Sequence, residues 1–123
     1  DIYTDGPQAA VEGYLKNFDS AMNKSDFSLI SGYLKNGSPI YTEQEKYVLR
    51  DITERLDSYE LTDVSYEDAN NCVISTRETY YVQVKGKPLQ LMTQECKYNV
   101  ENQGDKWQLT SFADIKVVSR IKQ

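Results

Sequence analysis

The residues best placed to do chemistry lie in one stretch, NCVISTRETYYVQVKG, residues 71 to 86. Every second position from Cys72 gives Ile74, Thr76, Glu78, Tyr80, Val82 and Val84, the apolar face of a strand with a carboxylate in its middle. A carboxylate aimed at a core needs hydrogen-bond donors or a wet pocket. In a pocket it can serve as a general base beside a tyrosine donor, the chemistry of an isomerase or dehydratase. Two plainer readings stand beside this one. A bulge between 72 and 84 would turn Glu78 outward, leaving Arg77 and Lys97 in a solvated charge ladder. An inward Glu78 bonded to Tyr80, Gln94 or a helix tyrosine would be purely structural.

Other chemistries are poorly served. The chain has no histidine, which removes the commonest general base, the Ser/His and Cys/His pairs and most zinc sites. Two cysteines cannot complete a structural zinc site, so no metal and no cofactor is expected. VKGKP (84–88) reads as a hairpin tip and not as a phosphate loop. DSYELTDVSYED carries Asp57, Glu60, Asp63, Glu67 and Asp68 without a basic residue. Strand alternation would splay these oxygens, giving a solvated acidic edge that blocks edge-to-edge pairing and not a calcium site.

These residues must be positioned by two kinds of element. Val11, Tyr14, Leu15, Phe18 and Met22 fall at helical spacing after a Gly-Pro in the segment that opens at Asp5. Ser25 or Asp26 can cap a second, short helix carrying Leu29, Ile30, Tyr33 and Leu34. Gly37 offers a left-handed stop, Ser38 an N-cap and Pro39 the first position of a third helix. That helix is expected to run to about Leu56, burying Tyr41, Val48, Ile52 and Leu56 and exposing Glu43, Glu45, Lys46, Arg50 and Glu54. The second half switches to period two, with strands expected near 59–67, 72–84, 89–101 and 106–120. The fold class is therefore α+β, three N-terminal helices packed on one face of an antiparallel sheet of four strands. At 123 residues the chain is expected to be one domain, 1–123, long enough to bury about two-thirds of its unfolded surface.

A three-residue loop at Lys85-Gly86-Lys87 pairs Val84 with Pro88, and so Glu78 with Gln94 and Thr76 with Cys96. A four-residue loop at 102–105 pairs Val100 with Trp107, placing Ser111 and Ala113 in the middle rows. Polar and small residues there leave a wet hollow, with Thr76, Glu78, Tyr80, Met92, Gln94 and Ser111 as its expected ligand-pocket residues. Cys72 lies four residues along the ladder from Cys96. At about 3.3 Å per residue that offset exceeds what a disulfide spans, so two free, buried thiols are expected.

The order of elements, with FDSAMNKSDFSLISGYL and a last strand of the type GDKWQLTSF, resembles the nuclear transport factor two-like superfamily. More narrowly it is similar to the C-terminal extracytoplasmic domain of Gram-positive membrane proteins related to the teicoplanin-resistance-associated protein. The resemblance implies a cone with a cavity at its open end. It also implies a parent protein with a zinc ribbon inside the cell, one membrane span and several outer domains. Enzymes of the superfamily place an Asp/His pair or a Tyr/Asp set in the cavity, whereas this chain offers only Glu78 and Tyr80. Homodimers through the outer sheet face are frequent in the superfamily, for which Tyr81, Phe112 and Val118 are the outward candidates.

The expected function is a non-catalytic binding or sensory module outside the membrane, excised from a longer membrane-anchored cell-envelope protein. Cell-wall stress or the glycopeptide antibiotic response is its context, and its partner a cell-envelope component or another protein domain. A structural or dimerisation spacer, with a homodimer, is the alternative, and a small cavity enzyme using Glu78 a further one. The net charge of −5 argues against nucleic acid and against direct contact with an anionic membrane.

Overall fold

The computed structural model describes residues 6–123; the expected helix opening at Asp5, and the chain start at Asp1, lie outside the described residues. Three helices come first: α1 (Pro7–Lys24), α2 (Ser28–Ser31) and α3 (Pro39–Tyr47). Four strands follow: β1 (Ile52–Asp68), β2 (Asn71–Val84), β3 (Gln90–Asn102) and β4 (Trp107–Lys122), an antiparallel meander in sequence order. The helices pack on one sheet face, and the fold is the expected α+β cone.

Helix α1 buries the apolar stripe that its spacing dictates, Val11, Tyr14, Leu15, Phe18 and Met22. It stops at Ser25, which adopts a left-handed conformation (φ 50°) and so ends α1 without capping α2. The N-cap position of α2 is Phe27, and Asp26 just before it accepts at Oδ1 from the backbone N–H of Ser28 at 3.0 Å. Gly37 has φ +81°, as the left-handed stop requires, and the Ser38 side chain caps α3 by accepting from the N–H of Tyr41.

Helix α3 is shorter than expected. It ends at Tyr47, and Ile52 and Leu56 belong to β1. Their spacing from Val48 mimics a helical stripe, but from Ile52 the chain alternates buried and exposed: Ile52 in, Thr53 out, Glu54 in, Arg55 out. β-Branched Ile52 and Thr53 suit a strand, and pairing from Ile52 opposite Val84 satisfies the backbone that another helical turn would have satisfied. Glu54, expected outside on a helix, therefore points inward on a strand.

The β2–β3 register is the expected one, with Glu78 opposite Gln94, Thr76 opposite Cys96 and Tyr80 opposite Met92. The β3–β4 register is not. Val100 pairs with Leu109 and not Trp107, and three irregularities shift the ladder by one residue each, between Asn99 and Val100, Lys97 and Tyr98, and Thr93 and Gln94. Bulges bend and twist a strand, and here they turn Phe112 inward opposite Tyr98 and Ser111 outward opposite Asn99. Phe112, expected on the outer face, packs its ring 5.2 Å from that of Tyr98. Cys72 and Cys96 are free and buried, as the β2–β3 register requires. The edge strand β1 carries the acidic series Asp57, Glu60, Asp63, Glu67 and Asp68 exposed.

One polar contact ties α1 to β1 where β1 is irregular. The ladder slips between Leu56 and Ser58, and the Leu56 N–H donates to Asp19 Oδ2 on α1 at 2.6 Å. Burial raises the carboxyl pKa of Asp19, opposed by this bond and by the charge of Arg55. Replacing Asp19 with Ala leaves a backbone donor without its acceptor and should cost about 1.5–3 kcal/mol, whereas Asp19→Asn keeps the acceptor and most of the stability. Urea unfolding of the two variants checks this; equal losses would show that the hydrogen bond contributes little.

Candidate functional site

Glu78 is only 1% exposed and its carboxylate is surrounded by donors. Oε2 accepts from Thr76 Oγ1 and from the Tyr98 hydroxyl, both at 2.6 Å. Oε1 accepts from the Tyr80 hydroxyl at 2.7 Å and from Gln94 Nε2 at 3.3 Å. Strand geometry supplies the whole set. Thr76 and Tyr80 lie two residues to either side on the same face of β2, and Gln94 sits directly across on β3. Tyr98 lies opposite Ile74, four positions along from Gln94, and its long ring carries the hydroxyl back to Glu78. All four partners can donate to the carboxyl group. Neither ion pair among the described residues, Lys35–Glu101 or Arg77–Glu95, involves it.

The donors are held protonated by the same surroundings. Burial pushes the hydroxyls of Tyr80 and Tyr98 well above the ordinary tyrosine value, and the Glu78 charge adds to it. Tyr14 is raised in the same way, although Gln44 Nε2 donates to its oxygen at 2.6 Å and pulls the other way. Burial, then Glu78, also raises the Cys96 thiol, which is therefore an inert structural thiol.

The second buried carboxylate is Glu54, 4% exposed. Asn23 on α1 grips its backbone, donating to the carbonyl at 3.0 Å and accepting from the N–H at 3.2 Å. Its Oε2 accepts from the Tyr47 hydroxyl at 2.6 Å, while Oε1 has no donor among the described residues. Burial pushes Glu54 up to about 7, opposed by the Tyr47 bond and reinforced by the charges of Asp19 and Glu78.

Glu54 and Glu78 share a cavity of about 390 Å³ between the helices and the sheet. Tyr14 and Phe18 of α1, Tyr47 of α3, Tyr80, Tyr98 and Phe112 wall it, and exposed Glu43 stands at its edge. The rings contact one another around it: Tyr14 meets Tyr98 at 5.9 Å, Phe18 meets Tyr80 at 6.2 Å and stacks on Tyr47 at 6.2 Å. Of the six residues expected to line a pocket, Glu78, Tyr80, Met92 and Gln94 do so. Thr76 lies behind the wall as a donor to Glu78. Ser111 is not at the cavity: the bulge after Val100 turns it outward, where its Oγ accepts from Asn99 Nδ2 at 2.8 Å. Glu54, Tyr14, Tyr47, Tyr98 and Phe112 escaped the sequence reading. Only Glu54 left a usable signal, the alternation Ile52-Glu54-Leu56.

Glu54 generates a pH-dependent prediction. Its pKa rises from the ordinary 4.5 in the unfolded chain to about 7 on folding, so between those values the native state binds more protons. Stability from this group is fully present below about pH 4.5 and is lost as pH rises through about 7, a change of roughly 3 kcal/mol. Glu54→Gln keeps an acceptor for Tyr47 and removes the titration. It should match the parent near pH 4 and exceed it by up to about 3 kcal/mol near pH 8. Urea unfolding across that range checks this, and a difference independent of pH would contradict it.

Comparison with known proteins gives a family and a fold. Residues 5–113 match the family of the TcaA protein NTF2-like domain. No curated protein matches the chain. Among solved structures, the intermembrane space region of the chloroplast protein ARC6 is similar at a TM-score of 0.70 and 10% identity, over 93% of this chain and 92% of that one. A ketosteroid isomerase-like protein from Erwinia carotovora atroseptica is similar at 0.63 and 16%, over 92% and 94%. An NTF-2 like protein from Shewanella oneidensis is similar at 0.55 and 11%, over 87% and 97%. At these identities the likeness is one of fold alone.

Proposed function

The chain belongs to the TcaA NTF2-like domain family, and we propose that it is a non-catalytic extracytoplasmic binding or sensory module of a membrane-anchored cell-envelope protein. Its ligand is a cell-envelope component or a segment of a partner domain, and its setting is cell-wall stress or the response to glycopeptide antibiotics. The observation that carries the reading is the cavity itself. About 390 Å³ stays open beneath α1 and α3 in a domain that could have filled it, and its wall mixes aromatic rings with a few fixed polar groups. Family membership supports the extracytoplasmic setting. No helix among the described residues is long and apolar enough to cross a membrane, so an anchor would have to come from another segment.

The non-catalytic part of the proposal rests on the state of Glu78. A general base needs a free lone pair directed at the substrate, and the protein's own donors take up both oxygens of Glu78. The chain offers no histidine in its place, and Glu54, whose Oε1 has no donor among the described residues, is the group through which a cavity enzyme stands as the second reading.

Soluble muropeptides from a Gram-positive wall are the first probe. At a concentration about a hundredfold above Kd, binding to the native state adds about 2.7 kcal/mol and raises Tm by several degrees. Met92→Trp, which fills the cavity from β3, should abolish the rise relative to its own baseline. No rise with the parent chain would contradict binding of wall fragments and favour a structural or dimerisation spacer; a rise that survives Met92→Trp would move binding elsewhere.

A further inference from the structure

The charge on the cavity wall has one sign, and most of the hydroxyls there are already committed. The hydroxyls of Tyr80 and Tyr98 donate to Glu78, and the hydroxyl of Tyr47 donates to Glu54. Gln94 also gives its amide to Glu78, and Gln44 gives its amide to Tyr14. Glu54, which lines the cavity and is 4% exposed, has no donor to its Oε1 among the described residues. The charged residues lining the cavity are Glu43, Glu54 and Glu78, with no lysine or arginine among them. Six aromatic rings complete the wall, and a ring face is the negative end of its quadrupole. A phosphate or carboxylate would meet like charge there.

We propose that the cavity receives an organic ammonium group, ion-paired to Glu54 and packed against the rings of Tyr14, Phe18 and Tyr80. The inference rests on the binding reading above and adds the chemical class of the ligand. An ammonium ion supplies what the wall lacks, a positive charge with or without N–H donors. A quaternary or primary ammonium over several ring faces is a recognised use of cation–π attraction. A hard metal ion is a poorer fit, because it requires six or more converging oxygens and no metal-binding cluster of carboxylates exists among the described residues. The volume accommodates a small ammonium compound whole, or the charged end of a larger molecule entering past Glu43.

Proton competition gives the site a second signature. Around Glu54, Tyr47 of α3 donates to it, and the charges of Asp19 on α1 and Glu78 on β2 disfavour its ionisation. Arg50, above the Tyr47 ring, and Arg120 on β4 act on Tyr47 in the opposite sense. Protonated Glu54 cannot pair with a cation. Affinity should therefore climb as pH rises through about 7.

Calorimetric titration of the 123-residue chain with choline, ethanolamine and 3,3-dimethylbutan-1-ol, the uncharged carbon isostere of choline, tests the proposal. Near pH 8 at least one of the two ammonium compounds should bind with millimolar or tighter affinity, and the isostere at least about tenfold more weakly. Near pH 6 ammonium binding should weaken about tenfold, as the ionised fraction of Glu54 falls. Glu54→Gln should remove both the preference for charge and the pH dependence. Isostere binding equal to that of choline, full affinity in Glu54→Gln, or no binding of either ammonium compound would each overturn the proposal. If muropeptides bind while both ammonium compounds fail, only the ligand class is lost; if all fail, the binding reading fails with it.

Discussion

A carboxylate buried without a counter-ion costs several kcal/mol, and the domain accepts that cost at Glu78 by surrounding it with hydroxyl and amide donors. Each bond to a charged acceptor is worth about 1.5–3 kcal/mol, so the four together are of the right size to offset the burial. The arrangement shapes the interior. Tyr80 and Tyr98 must aim their hydroxyls at one point, which fixes their rings against the sheet. Tyr14 and Phe18 of α1 then pack edge-on against those fixed rings. The cavity lies between these rings and the helices.

The two carboxylates of that space have different surroundings. Glu78 has donors on both oxygens, whereas Glu54 has a donor on one. The similar folds, at 10–16% identity, include an isomerase-like protein and a chloroplast intermembrane-space region, so the cone by itself selects no chemistry. On the proposed reading the cavity wall carries the specificity, and that wall is acidic and aromatic.

Much of this was legible in the amino-acid sequence, and the failures have physical causes. The β2–β3 hairpin could be registered because its loop is short, Gly86 takes φ +79°, and a slip of one residue would expose every apolar side chain on the face. The inward Glu78 and the unbridged cysteines followed from that register. The β3–β4 pair resisted because one irregularity near Thr110 reverses which of Ser111 and Phe112 points inward, and alternation carries no mark of it. The end of α3 was obscured by Val48, Ile52 and Leu56, which satisfy a helical stripe while the last two begin a strand. Glu54 was hidden by its own charge, since a glutamate in a charged segment reads as solvated. Tyr98 sat in an apolar row, and nothing in its position showed that its hydroxyl reaches past the neighbouring row to Glu78.

The dependence of the interior on Glu78 can be measured without any ligand. A double-mutant cycle between Glu78→Gln and Tyr98→Phe, read by urea unfolding, isolates the coupling between carboxylate and hydroxyl. A coupling of about 1.5–3 kcal/mol is expected if this bond helps to hold the cavity in shape. Losses that simply add, with coupling below about 0.3 kcal/mol, would mean that the hydroxyl and the carboxylate are neighbours without being partners.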